Sequence, residues 1–375
     1  MKTSSEKKSP KVVISGYYGF DNCGDEVVLL AIIHCLKKIN PEVRIAVLSG
    51  NPQKTRETYA VEAANRWNPF MIIYELLTCR LLISGGGSLL QDVTSTKSLR
   101  YYLAVINMAR ILGKRTMIYS QGIGPLSNKK NRARVSKALN RCHTISVRDR
   151  HSAGLLRKLG LTRDIQVTCD PVMALSVEDV DIKEINSDLR EIGIAGNEAE
   201  MRKPLLLAVI RAWGDNSHIG LVSEFLDKRV KSGWDVLLVP AHYPDDTAAM
   251  NEISRNMAEK PYLLGRCLTA CEFLALNVRA DMVFSMRLHG LICALAVGTP
   301  MLGLSYDPKV DAFMEQAGLE EYCLPFDEFN CEEAEQLFAE LNSFAPNPQG
   351  WLEARRKEMR ESVMDTAQKA IELLK

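Results

Sequence analysis

The chain has 375 residues, with 47 Lys and Arg against 46 Asp and Glu and a formal net charge of +1. Such a length suits two domains better than one, because single cores stop growing near ~250–300 residues. The balanced charge excludes wholesale binding to nucleic acid or to an acidic surface, so any anion site must be local.

The opening MKTSSEKKSP is polar and runs straight into a strand, and no stretch approaches the ~20 apolar residues that span a bilayer. Most of the ten cysteines lie inside apolar patterns, as Cys35, Cys169 and Cys293 do. Together these features predict a cytoplasmic protein. Cys267 and Cys271 are close, but a C-x-x-x-C pair on a helix without further His or Cys predicts packing, and no metal is expected.

Apolar β-rich runs then recur, each followed by a helical pattern: KVVISG (11–16), VRIAVLSG (43–50), RLLISGGG (80–87), RTMIYSQGIG (115–124), HTISVRD (143–149) and IQVTCDPV (165–172). Runs apolar on both faces, alternating with helices, predict a parallel sheet covered on both sides. From Ser176 to Arg202 the pattern gives way to an acidic connector with some helical content. A second series follows: PLLLAVIR (204–211), WDVLLVPAH (234–242), PYLLG (261–265), ADMVFS (280–285) and PMLGLSY (300–306). After a break at Pro346 to Pro348, Trp351 to Leu374 reads as a charged amphipathic helix.

The expected fold class is therefore α/β and GT-B-like, with two Rossmann-like domains whose parallel sheets face a central cleft. The expected domains are residues 1–175, on the acceptor side, and 203–345. They are joined by the connector 176–202, with 346–375 packing back across it. Sites in such sheets lie beyond the carboxyl ends of the strands.

After the first strand, GYYGFDNCGDEVVL carries Asp21, Asn22, Asp25 and Glu26 into a helix. It lacks the G-x-G-x-x-G spacing, and its acids stand where a pyrophosphate would need bare amides, which suits sugar hydroxyls or a general base as well as a simple N-cap. In ISGGGSLLQD, Gly85, Gly86, Gly87 and Ser88 bring backbone amides close to a ligand or to another backbone, with Asp92 nearby. QGIGP, starting at Gln121, repeats the device. SVRDRHS ends its strand in Arg148, Asp149 and Arg150, of which Arg148 is the expected anion ligand.

FSMRLHGLICALAVGTP places Arg287, Leu288 and His289 on a turn between a strand and a helix closed by Gly298 and Pro300. An arginine, a histidine and a helix N-terminus together make a site for a small phosphate or carboxylate. SYDPKV adds Asp307 and Lys309 at the next strand end. NKKNRARVSKALNR (128–141) is basic along most of its length and suits an acceptor diphosphate, anionic lipid or plain solvent.

GYYGFDNCGDE, ISGGGSLLQD, YSQGIGP, SVRDRHS, CDPV and SMRLHGLICALAVGTP followed by SYDPKV, in this order, resemble the polysaccharide pyruvyl transferases, most of all the CsaB-type bacterial members. The resemblance implies transfer of a pyruvyl group from phosphoenolpyruvate to a sugar, forming a ketal with release of phosphate. For CsaB-type enzymes it implies N-acetylmannosamine in a lipid-linked precursor of a secondary cell-wall polymer, the anchor of S-layer proteins. It thus implies phosphoenolpyruvate and a lipid-diphosphate glycan as partners, no cofactor, and work at the inner membrane face.

The residues suit that chemistry. Phosphoenolpyruvate carries a carboxylate and a phosphate on one short enol, which calls for several cations, here Arg148, Arg287, His289 and Lys309, with Leu288 as a further binding position between two of them. Protonating its methylene needs a general acid, for which His289 is best placed. Asp21, Asp25 or Asp92 would handle acceptor hydroxyls, with Asn22, Gly86, Gly87, Ser88 and Gln121 also on the acceptor side. Rival readings are a nucleotide-sugar glycosyltransferase or 2-epimerase, with Glu315 as its ribose clamp, and a non-catalytic anion or glycan binder.

Overall fold

The structure, a computed structural model, describes residues 9–93, 95–195, 202–344, 350 and 352–375. The break at Pro346 to Pro348, Trp351, and residues 196–201 of the expected connector lie outside the described residues.

Two separate parallel sheets form. In the first, β1 (Lys11–Ser15), β2 (Arg44–Ser49), β3 (Glu62–Asn65), β4 (Leu81–Gly85), β5 (Arg115–Gln121), β6 (Thr144–Val147) and β7 (Gln166–Val167) lie in the order β3-β2-β1-β4-β5-β6-β7. In the second, β8 (Leu205–Val209), β9 (Asp235–Leu238), β10 (Tyr262–Leu263), β11 (Met282–Ser285), β12 (Met301–Ser305) and β13 (Cys323–Pro325) lie in the order β10-β9-β8-β11-β12-β13. The central strands are buried along their whole length, as β1, β4, β8, β11 and β12 show. That is why they read as continuous apolar runs. Strand order reverses between β1 and β4 and between β8 and β11, the switch points at which such sheets present their ligand sites.

Two strands escape the sequence pattern. β3 (EAAN) and β13 (CLP) are short and carry no apolar run. They form because a neighbour offers them a ladder.

The chain divides into two compact units, one of residues Met1–Phe20, Val28–Pro171 and Glu361–Lys375, the other of Asp21–Val27 and Val172–Arg360. This differs from the expected partition at Val172–Leu175, which belong to the second unit, and in two further places. The loop Asp21–Val27, expected on the acceptor side with the first sheet, belongs to the unit of the second sheet. The final helix, Glu353–Glu372, is shared: its first turns lie beside Ser176–Glu178 of the connector, and its last turns belong to the first unit. Its start is held in the second unit, where Arg356 donates to the carbonyl of Ala296 at 3.2 Å. Its end is held in the first, where Arg80 and Arg115 donate to the carbonyls of Leu374 and Leu373 at 2.7 and 2.6 Å. Cations on the last carbonyls answer the acceptors that a helix end leaves open. The connector contains a short 3₁₀ turn at Val177–Asp179 and a helix at Lys183–Glu191.

Candidate active site

In the second unit, β11 ends at Ser285 and the helix Leu288–Val297 begins three residues later. Arg287 is the residue just outside the helix and His289 stands in its first turn, so the two do not share a turn as the sequence suggested. The helix starts two residues earlier than expected because Gly290 is part of its tight entry. Its amide donates to the carbonyl of Arg287 at 2.9 Å, and a Cβ on it would stand 2.4 Å from the hydroxyl of Ser285. Gly298 closes the helix in the left-handed region at φ 87°, as predicted.

Arg287 grips a partner that is invisible in the linear pattern. Its guanidinium donates through Nε to Asp246 Oδ2 at 3.1 Å and through a second nitrogen to Asp246 Oδ1, a two-pronged pair. The Asp246 side chain is 2% exposed and also accepts the amides of Ala241 and His242 at 3.1 and 2.9 Å. The carboxylate thus ties the loop after β9 to the cation after β11. His242 enters the same loop, with Nδ1 at 3.0 Å from Asp245.

The loop Asp21–Val27 closes this assembly. Cys23 donates its amide to the carbonyl of Ala241 at 2.8 Å, and Asn22 forms an antiparallel bridge with His242. Asn22 caps the helix Cys23–Ile39 through its side chain, which accepts the amides of Gly24 and Asp25 at 3.1 and 3.4 Å. Asp21, at φ 57°, makes the turn into it. The turn sets Gly24 against the imidazole of His289, where a Cβ would stand 2.3 Å from Nδ1. Asn22, Asp25, Arg287 and His289 are therefore gathered in one unit, with Asp246 and His242 as members that the sequence reading missed. Only the polar insertion in VPAHYPDD after an apolar strand signalled them.

Two further strand ends of this unit carry cations. Lys309 sits in the first turn of the helix Pro308–Ala317, its amide donated to Asp307 at 3.0 Å and its ammonium 3.9 Å from the same carboxylate. Arg211, just beyond β8 and also unforeseen, donates to the Tyr306 hydroxyl at 3.1 Å and lies 5.1 Å from the ring centres of both Trp213 and Tyr306. Glu315 is exposed near the far end of the Lys309 helix.

In the first unit, Arg148 is buried and its charge is matched. It donates to Asp170 at 3.2 Å and to the Ser88 hydroxyl at 3.1 Å, and lies 3.7 Å from Asp149. Gly122 admits this arrangement, since a Cβ there would stand 2.8 Å from the Ser88 hydroxyl and 2.9 Å from Arg148 Nε. Gln121 is fully buried and donates to Ser84 at 2.9 Å. The glycine run has a packing cause at two of its positions. A Cβ on Gly86 would stand 1.9 Å from Val28, and one on Gly85 2.9 Å from Ile32, so the helix after β1 lies directly on β4. Gly87 accepts the amide of Gly122 at 2.9 Å.

Asp92 is occupied structurally. It accepts the amides of Ser127 and Asn128 at 2.7 and 3.1 Å and the side chain of Asn131 at 2.9 Å, which anchors the basic helix Lys129–Leu139. Partial burial raises its pKa, but these hydrogen bonds, with Arg132, outweigh that and hold it below the usual value of 3.8. A carboxylate so stabilised is a poor base. Cys267 lies before the helix Ala270–Arg279 that carries Cys271, so the pair does not share a helix, and no cysteine forms a disulfide. Among the described residues no group of three or more His, Cys, Asp or Glu side chains could hold a metal ion.

Two Rossmann-like domains with parallel sheets, charged groups standing at the carboxyl ends of their strands, define a protein of the GT-B-like class. UDP-GlcNAc 2-epimerase from Neisseria meningitidis, in a structure bound to UDP-GlcNAc, shares it with a TM-score of 0.61 at 13% identity, over 97% of this chain and 99% of that one. HepE from Anabaena, in complex with UDP-glucose, does so with a TM-score of 0.55 at 13% identity over 97% and 96%. Heptosyltransferase II from E. coli gives 0.51 at 12% identity over 89% and 98%. At such identities the likeness is one of fold. No curated protein sequence matches the chain significantly. The chain belongs to the polysaccharide pyruvyl transferase family, whose pattern it matches over residues 22–308. It is thus a transferase of that family, and the epimerases and glycosyltransferases are its neighbours in fold only.

Proposed function

We propose that the protein transfers the enolpyruvyl group of phosphoenolpyruvate to a sugar diol, forming a cyclic ketal and releasing phosphate. The observation that carries the reading is the imidazole of His289, held against Gly24 and two residues from the Asp246-bound Arg287. It combines a proton donor with an anion ligand on one helix entry. His289 delivers a proton to the methylene carbon, which becomes a methyl group as C2 turns electrophilic. One sugar hydroxyl adds to C2 and gives up its proton. A second hydroxyl then displaces phosphate from C2 and closes the ring, so that phosphoenolpyruvate and a diol give a ketal and phosphate.

In this reading Arg287 and Lys309 hold the donor's anionic groups, and Arg148 is assigned to the same substrate. Arg287 does so as a cation already paired with Asp246, which fixes the direction of its remaining donors at the cost of some net charge. Asp21 and Asp25 flank the turn at His289 and take the acceptor hydroxyls, with Asn22 as their positioning cap. Gly86, Gly87, Ser88 and Gln121 remain assigned to the acceptor. The reaction needs no resident cofactor. The acceptor is N-acetylmannosamine in a lipid-diphosphate-linked precursor of a secondary cell-wall polymer, pyruvylated at O4 and O6 in the manner of CsaB-type enzymes on the cytoplasmic side of the membrane.

The test is phosphate release from phosphoenolpyruvate with a lipid-linked disaccharide ending in N-acetylmannosamine. Acceptor-dependent release, with a ketal methyl signal in the product, supports the reading. Turnover of a nucleotide sugar without phosphate release from phosphoenolpyruvate overturns it in favour of the glycosyltransferase or epimerase reading.

A further inference from the structure

The helix Pro69–Thr78 in the first unit, PFMIIYELLT, is apolar on its outward face as well as on its inward one. Its outward face carries Phe70 at 81% exposure with Met71, Ile73, Tyr74 and Leu77, and Trp67 at 65% precedes it. Positions 67, 70, 71, 74 and 77 follow the helical repeat, so one continuous apolar stripe faces outward. The inward face holds a carboxylate among its apolar side chains, since Glu75 is buried and lies 2.5 Å from the ammonium of Lys11, which also meets Glu62 at 2.7 Å. That ion pair, with buried Ile72 and Leu76, fixes which way the helix faces. Trp67 is held equally firmly. The guanidinium of Arg66, 3% exposed, sits 5.1 Å from its ring and 4.4 Å from that of Tyr101, and donates to the carbonyl of Gly16 at 2.7 Å.

The stripe has cationic company on the same layer. The helices Pro69–Thr78, Thr96–Ile111 and Lys129–Leu139 lie side by side and feed one apolar cluster, through Ile72 and Leu76, Leu99 and Ile106, and Val135 and Leu139 respectively. Their outer sides continue the stripe into charge. Ile111, Lys97 and Arg100 are exposed on the second helix, and Lys129, Lys130, Arg132, Arg134 and Lys137 on the third, which contains no acid.

We infer that this three-helix face docks on an anionic lipid bilayer, the aromatic stripe entering the headgroup boundary and the basic helix meeting lipid phosphates. Trp and Tyr on a shallow apolar face, beside a polybasic segment, match both the depth and the charge of such a surface. A second copy of this chain would meet the face with the same cations, so charge complementarity favours lipid.

The test is co-sedimentation of the full chain with vesicles of phosphatidylcholine, alone or mixed with phosphatidylglycerol. Three chains are compared: the wild type, Phe70→Ser/Tyr74→Ser, and Lys129→Glu/Lys130→Glu/Arg134→Glu. All five altered side chains are exposed, so folding is preserved. Binding of the wild type to the mixed vesicles is expected to fall about tenfold or more in each variant, and binding to pure phosphatidylcholine to be weak throughout. Equal sedimentation of the wild type and Phe70→Ser/Tyr74→Ser overturns the inference. So does a wild-type dimer in analytical ultracentrifugation that this variant dissociates while vesicle binding is absent, since the stripe would then be a contact between copies.

Discussion

Gly24 and His289 are packed so closely that a single added carbon on the glycine would stand 2.3 Å from Nδ1 of the imidazole. The entry of the helix Cys23–Ile39 therefore sets the position of a residue far along the chain. Gly24→Ala is expected to keep the fold but push the ring aside, lowering turnover by about tenfold to a hundredfold, because a misplaced proton donor loses most of its advantage. Steady-state phosphate release, with circular dichroism as the folding control, checks this. Wild-type turnover in the alanine variant would show that the ring's place against Gly24 is irrelevant to chemistry.

Replacing His289 by Asn or Gln is expected to leave phosphoenolpyruvate affinity within about tenfold while turnover falls by about 10² to 10⁴, the range of a positioned general acid. Calorimetric binding set beside single-turnover rates separates the two. A variant that loses only affinity would move the acid role elsewhere, Lys309 being the first alternative.

Arg287 and Asp246 are expected to depend on one another. Arg287→Ala strands a carboxylate that is 2% exposed, and Asp246→Ala also orphans the amides of Ala241 and His242. Each is expected to cost about 3–5 kcal/mol in urea unfolding, the usual loss on breaking a buried pair. Arg287→Ala should also abolish measurable phosphoenolpyruvate binding. If either single variant unfolds like the wild type, the pair is not the anchor of the β9 and β11 loops.

Asp92→Asn tests a carboxylate whose pKa is depressed by its hydrogen bonds. A depressed group contributes stability above its unfolded value and loses it as pH falls through the lower folded value. The variant is expected to be less stable at neutral pH by about 1 kcal/mol. The difference should shrink as pH drops below 3.8. Melting curves between neutral and strongly acidic pH show this, and a gap that persists unchanged in acid would mean that the charge on Asp92 plays no part.

Cys23 opens a helix beside the candidate site, a place where thiols often become reactive. Here burial comes first, with Cys267 and Glu26 adding to it, and the thiol is pushed up to about 12. At pH 8 it is therefore protonated, and iodoacetamide is expected to modify exposed Cys271 about a hundredfold faster. Peptide mapping with time decides the matter. Comparable labelling of the two would show that the site opens in solution.

The alternation of apolar runs and helical segments determined most of the fold. Strands buried on both faces must be apolar throughout, which made β1, β2, β4, β5, β8, β9, β11 and β12 legible, and placed Arg148, Arg287, His289 and Lys309 at or after strand ends. β3 and β13 stayed hidden because a short strand beside a neighbour needs no apolar run of its own. Only the tertiary structure decided what each charged group faces. Asp246 lies 41 positions from Arg287, and Asp170 lies 22 from Arg148, so no local period relates them. The same holds for the acidic turn at Asp21–Val27, which its place in the chain assigned to the first sheet. The hydrogen bonds at Ala241 and the space beside His289 assign it to the second unit, because hydrogen bonds and close packing depend on distance in space, which sequence spacing does not report.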